Sequence, residues 1–197
     1  MTNILFFDIE TVYDDNHKQD LDNLIERFWD KTDFMPELNQ ILTICCWYIK
    51  EDWSYYIKNL KWTEKEQIEI FFNLIEKFPN VCWFNILNFD LPFIIKRALQ
   101  YWIKIPDKLK FYWKAPRDLK HIIDLQDVYK MNVWGWIWNL DLISHHLWIE
   151  SPKDKMSWKE VQEYHDMERD DEIIEYCKKD VLATMQVYEK FLELNLI

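Results

Sequence analysis

Glycine is almost missing from this sequence. The 197 residues include one glycine and twelve tryptophans, where average usage of about 7% would give roughly fourteen glycines. The two counts together come close to what glycine alone should supply. The tryptophans also stand where backbone geometry favours glycine. Trp53 follows Asp52 between two strand-like runs, where Asp-Gly is the strongest hairpin signal. Trp102 and Trp148 each directly follow a helical pattern, at the position where a left-handed residue closes the last turn. The stretch "VWGWIW" (133–138) becomes a glycine-rich loop once its tryptophans are exchanged. The expectation is that many of these letters are glycines, since UGA encodes glycine in some genetic codes and tryptophan in others. A genuinely tryptophan-rich protein is the alternative, and no function is assigned to any tryptophan.

Other absences narrow the class. No apolar run approaches the roughly 18 residues that would suggest a membrane span. The chain enters "ILFFDIE" with no basic leader or cleavage site, so a cytoplasmic protein without a signal peptide is expected. Cys45, Cys46, Cys82 and Cys177 show no CxxC spacing, which reads as buried free thiols and not a zinc site or disulfide frame. No linker, repeat or low-complexity segment interrupts the chain, and its length suits one domain over 1–197. A net charge of −11 argues against tight nonspecific phosphate binding. Basic residues do gather at Lys96, Arg97, Lys104, Lys108, Lys110, Lys114, Arg117 and Lys120. A solvated surface is the favoured reading of that cluster, with a strand-guiding patch as the alternative.

The hydrophobic pattern predicts strands first, then strands alternating with helices. "NILFFDIE" reads as a strand buried on both faces and ending in acids. Residues 41–49 and 54–60 form a probable hairpin. Thr63 with Glu66 is a capping box that opens an amphipathic helix to about Phe78. Val81–Phe84 reads as a buried strand, and Asp90 or a neighbour caps a helix to about Tyr101, with Pro92 tolerated in its first turn. His121–Leu125 is another strand, and Asn139 caps a helix to Leu147. Ser157 with Glu160 makes a second capping box, and a long helix closes the chain from about Asp170 to Leu194. This pattern predicts one α/β domain, a mixed sheet with helices on its faces.

Several acids could do chemistry. Asp8 and Glu10 lie two apart on a strand, so their side chains leave one face. Thirty-five acids in 197 residues would give about six such pairs by chance, so spacing alone decides nothing. Position decides more: two carboxylates beside a sheet interior repel one another unless a cation separates them. Their oxygens suit Mg²⁺ or Mn²⁺. Asp90 follows a buried strand, where a helix cap is the plain alternative. Tyr176 and Asp180, four apart on a helix, point the same way. Asp124 ends another apolar run and is expected to cap a helix. His121, His145 and His146 lack metal-ligand spacing.

In this order "FDIET", "NILNFD" and "YCKKD" resemble the three motifs of the DnaQ-like (DEDD) 3′–5′ exonucleases. The YxxxD form marks the tyrosine subclass. The histidine subclass needs histidine five positions before Asp180, where Glu175 stands. Over almost the whole chain the sequence resembles predicted 3′–5′ exonucleases related to the proofreading domain of family B DNA polymerases. "HIIDL" and, with Trp148 read as glycine, "NLDLISHHLWIESPKDKMS" share that likeness. Trp83 departs from the small residue expected ahead of the second motif. The resemblance implies a ribonuclease H-like fold and hydrolysis at the 3′ end of single-stranded DNA, or RNA, by two divalent ions. It implies Asp8, Glu10, Asp90 and Asp180 as metal ligands, Tyr176 as the residue that orients water, and Thr11 and Asn85 as strand contacts. With no polymerase domain in the sequence, any proofreading would act on a polymerase in trans. A catalytically silent nucleic-acid-binding module on the same fold is the rival reading.

Overall fold

The structure, a computed structural model, describes residues 4–14, 35–49, 55–110, 119–131, 139–151 and 156–197. The candidate hairpin turn at Trp53 and the "VWGWIW" stretch lie outside them. Five strands form one sheet in the order β3-β2-β1-β4-β5. The strands are β1 (Ile4–Tyr13), β2 (Asn39–Ile49), β3 (Tyr55–Asn59), β4 (Asn80–Trp83) and β5 (Ile122–Asp124). β1, β2 and β3 run antiparallel as a meander, while β4 and β5 run parallel to β1. The mixed sheet predicted from the sequence is therefore present.

The helices follow the sequence signals closely. Thr63 caps α1 (Glu64–Lys77) with both halves of the capping box in place. α2 (Asp90–Gln100) carries Pro92 in its first turn, where a missing amide costs nothing. The short α3 (Leu125–Lys130) follows β5 directly, with Asp124 as its cap as the sequence predicts. Asn139 caps α4 (Leu140–His146) by accepting a bond from the Leu142 amide at 2.7 Å. Glu160 reaches back to the Ser157 amide at 2.9 Å, ahead of α5 (Val161–Asp166). The long α6 (Asp170–Glu193) lies across β1 and β2. Its buried residues, among them Ile173, Cys177, Val181, Thr184 and Val187, recur at three- and four-residue spacing, the stripe a helix needs to pack on a sheet.

β1 is the hub. Leu5 and Phe7 are fully buried, and Phe7 meets Phe71 of α1 with ring centroids 4.5 Å apart. One expectation needs correction here. The acids do not end this strand; β1 continues through them to Tyr13. β4 pairs with β1 only along Ile4–Phe6, so Asp8 and Glu10 lie beyond the parallel neighbour, where that side of β1 is left open. The register against β2 also shifts between Glu10 and Thr11, as Glu10 faces Thr43 and Thr11 faces Ile41. Leu42 is the extra residue of this bulge.

Side chains of α1 satisfy the polar groups that the bulge releases. Gln67 Nε2 donates to Leu42 O at 3.0 Å, and Gln67 Oε1 accepts from the Ile44 amide at 2.9 Å. Glu64 Oε1 accepts from the Ile41 amide at 2.7 Å. Glu64 is in turn gripped by Arg97 of α2, which donates from Nε at 2.7 Å and from Nη2 at 2.5 Å. Arg97 also bonds Asp14 at 3.0 Å and the Pro36 carbonyl at 3.1 Å. Tyr101 completes the cluster with a 2.6 Å bond to Glu64, and burial with that contact raises its hydroxyl to about 12.

The same cluster corrects the basic patch. Arg97 is fully buried and structural. Lys108 donates to the carbonyls of Ile75, Glu76 and Phe78, closing the C-terminal end of α1. Lys110 pairs with Asp107 and Lys96 with Glu37. The four cysteines are free and buried, as expected.

Candidate active site

A cleft of about 630 Å³ opens where β1 outruns β4. Its walls include Asp8, Glu10, Thr11, Asn85, Asp90, Tyr176 and Asp180, so all seven sequence-designated positions meet there. Three separate elements bring them together. β1 supplies Asp8 and Glu10 from one strand face, α2 supplies Asp90 at its first residue, and one helical turn of α6 supplies Tyr176 and Asp180.

These carboxylates sit in an environment that opposes their charge. Burial raises Asp8 well above the usual carboxylate range, and the neighbouring charges of Glu10, Asp180 and Asp90 push it further. Burial likewise raises Asp90, with Asp124 and Asp180 adding to it, while the amides of Asp90 itself and Ile9 oppose the rise. The Tyr176 hydroxyl is held strongly protonated by burial and by Asp180, Glu10 and Asp8 around it. Asp8 Oδ2 and Asp90 Oδ1 are sealed from solvent with no hydrogen-bond partner among the described residues. Asp90 is not a helix cap, because Phe89 occupies that position and makes no side-chain cap bond.

Orphaned anionic oxygens in a buried group of acids are costly unless a cation fills the space between them. The donor set is oxygen-rich and negatively charged, as Mg²⁺ and Mn²⁺ require. The residues present therefore fit divalent ions.

Asp124 takes the cap role expected of it. Its Oδ1 accepts from the Asn85 amide at 2.9 Å and the Gln126 amide at 3.0 Å, and its Oδ2 from the Leu87 amide at 3.2 Å. It caps α3 and ties down the loop after β4, where Asn85 has a φ of 62°. His121 and His146 are structural as well: His121 bonds the Lys108 carbonyl at 2.8 Å, and His146 bonds Tyr129.

Sequence reasoning missed other residues of the cleft wall: Gln126, Lys159, Gln162, Glu163 and Asp166. Gln162 Oε1 accepts from the Tyr13 amide at 2.8 Å, docking α5 on the end of β1. None of these residues has a spacing that would have marked it. Trp83 is buried at the end of β4 and lines the same cleft.

The strand order, with three antiparallel strands and two parallel ones covered by helices, defines a ribonuclease H-like fold with an acidic cleft at the sheet's open side. The structure matches the family B DNA polymerase from the hyperthermophilic archaeon Pyrobaculum calidifontis with a TM-score of 0.69 at 17% identity. That match covers 100% of this chain and 25% of the polymerase, so the chain spans a quarter of that protein's length. Residues 32–195 match the family model described as a predicted 3′-5′ exonuclease related to the exonuclease domain of PolB. The chain belongs to that family. The matched stretch begins after β1, so Asp8 and Glu10 join the site on geometry and not through the family match. No curated protein sequence matches the chain. Among the described residues, no helix is long and apolar enough to cross a membrane.

Proposed function

We propose that the protein is a metal-dependent 3′–5′ exonuclease acting on single-stranded nucleic acid, with DNA favoured over RNA. The observation that carries the reading is the convergence of Asp8, Glu10, Asp90 and Asp180 on one cleft, with two of their oxygens buried and unpartnered. Asp8 would be shared by two divalent ions, Glu10 and Asp180 would complete one of the two sites, and Asp90 would hold the other. When bound, such a pair acidifies an attacking water and stabilises the attacking and leaving oxygens of an in-line displacement.

The chain's own residues do the remainder. Tyr176, kept protonated by burial and by its acidic surroundings, would donate a hydrogen bond that orients the water. Thr11 and Asn85 line the approach and position the terminal nucleotide. Phe84 and Phe89 give the cleft an apolar wall that a base can lie against. The cleft's negative charge repels a polyanion until cations are bound, so nucleic-acid binding and metal binding are coupled. A polymerase is the partner that the family relation suggests.

A 5′-labelled single-stranded oligonucleotide tests this directly. Mg²⁺ or Mn²⁺ should shorten it stepwise from the 3′ end and release nucleoside 5′-monophosphates, and Asp8→Ala should abolish that. Intact oligonucleotide in both metals, with DNA and with RNA, would overturn the reading. Binding without cleavage would identify a silent nucleic-acid-binding module.

A further inference from the structure

Cys177 is fully buried, one residue beyond Tyr176 on α6, and its thiol donates to the Asp8 carbonyl at 3.6 Å. Its Sγ, a carboxylate oxygen of Asp8 and one of Glu10 all lie within 4.8 Å of one another. Two donors on a tetrahedral zinc ion stand about 3.5 Å apart, given bonds of about 2.3 Å to sulfur and 2.0–2.2 Å to oxygen. Small side-chain rotations would close this group on one ion. Asp8 Oδ2, in a residue only 6% exposed, has no hydrogen-bond partner among the described residues. That orphaned oxygen marks the spot as built for a ligand.

We propose that Asp8, Glu10 and Cys177 form a site for a thiophilic divalent ion, Zn²⁺ in the cell, distinct in its ligands from the oxygen-only site for Mg²⁺ or Mn²⁺. Sulfur ligation discriminates between the two classes: thiolate favours Zn²⁺, whereas the harder ions take oxygen. As the metal–sulfur bond forms, the thiol proton leaves to solvent. Asp8 and Glu10 line the cleft, through which the ion would enter. Because Asp8 and Glu10 belong to both sets, the two kinds of ion exclude one another. Zn²⁺ therefore acts as an antagonist of the hard-ion state.

Cd²⁺ is the probe, since sulfur bonded to it absorbs in the near ultraviolet. Titrating the metal-free protein should produce that absorption, saturating at one ion per chain and reversed by Zn²⁺. The band should vanish in Cys177→Ser, persist in Cys45→Ser, and require at least about tenfold more Cd²⁺ in Asp8→Asn. No band in the folded wild type, a band that survives Cys177→Ser, or full affinity in Asp8→Asn would each overturn the proposal. If Cys177→Ser fails to fold, the wild-type and Asp8→Asn titrations still decide it. Oligonucleotide cleavage by the same preparations separates the two readings. A band without cleavage leaves this site standing and removes the exonuclease, and cleavage without a band does the reverse.

Discussion

Trp102 and Trp148 have φ of 56° and 59°, and they are 94% and 95% exposed. Neither ring packs enough to offset a left-handed backbone, which costs a residue bearing a Cβ roughly 1–2 kcal/mol. Both follow a helix, where glycine is the usual occupant. Trp62, just before the cap of α1, also has positive φ, at 151°. The backbone at these positions is thus the one expected from the glycine reading. Trp83 differs: it is buried in strand conformation, and its case rests on the motif resemblance and not on φ. The gene should carry UGA at positions 102 and 148. The double variant Trp102→Gly/Trp148→Gly should melt about 4–8 °C higher, from about 2 kcal/mol at 2–4 °C each for a chain of this size. UGG codons, or an unchanged melting temperature, would refute this. At the same scale, Asp8→Asn removes a charge that the metal-free fold resists. It should raise metal-free stability by about 1 kcal/mol, abolish stabilisation by Mn²⁺, and cut nuclease activity by at least about a thousandfold.

Among the elements, α1 and α2 do more than cover the sheet. Glu64 and Gln67 brace the bulge opposite Glu10 and Thr11, and Arg97 joins that brace to the helix that begins with Asp90. One buried cluster therefore fixes the relative placement of two acids that lie far apart in sequence. Replacing Arg97 with Met strands Glu64 and Asp14 as buried charges, which should cost about 3–5 kcal/mol. Adding Glu64→Gln and Asp14→Asn should recover much of that loss in denaturant melts, and a simple packing role for Arg97 predicts no recovery. The helices and strands were legible because capping boxes, periodicity and proline placement are local signals. The bulge, the length of β1 and the brace were not, because each depends on which strand stops first and which side chains meet across the sheet. The motif acids could be read from their order along the chain. The Lys159–Asp166 wall carries no such order and appears only when α5 docks on Tyr13.

For the molecule as a whole, a cleft of like charges couples stability to pH and metal. Asp8 and Asp90 have carboxyls raised in the fold by burial and neighbouring acids. Their contribution to stability is complete below the unfolded carboxylate value of about 3.9 and is lost as pH rises through their raised folded values. Metal-free protein should therefore lose stability as pH rises above the unfolded carboxylate value. The gain in melting temperature on adding Mn²⁺ should grow over the same interval, since ions bind only the folded, ionised cleft. A gain that shrinks with pH would contradict that linkage. The central claim is that these carboxylates meet in order to hold a pair of hard cations. Anomalous scattering from crystals grown in Mn²⁺ tests it most directly. The account predicts two peaks about 4 Å apart, with Asp8 touching both, Glu10 and Asp180 on one, and Asp90 on the other. A cleft without manganese at saturating concentration, its acids turned away from one another, would contradict it.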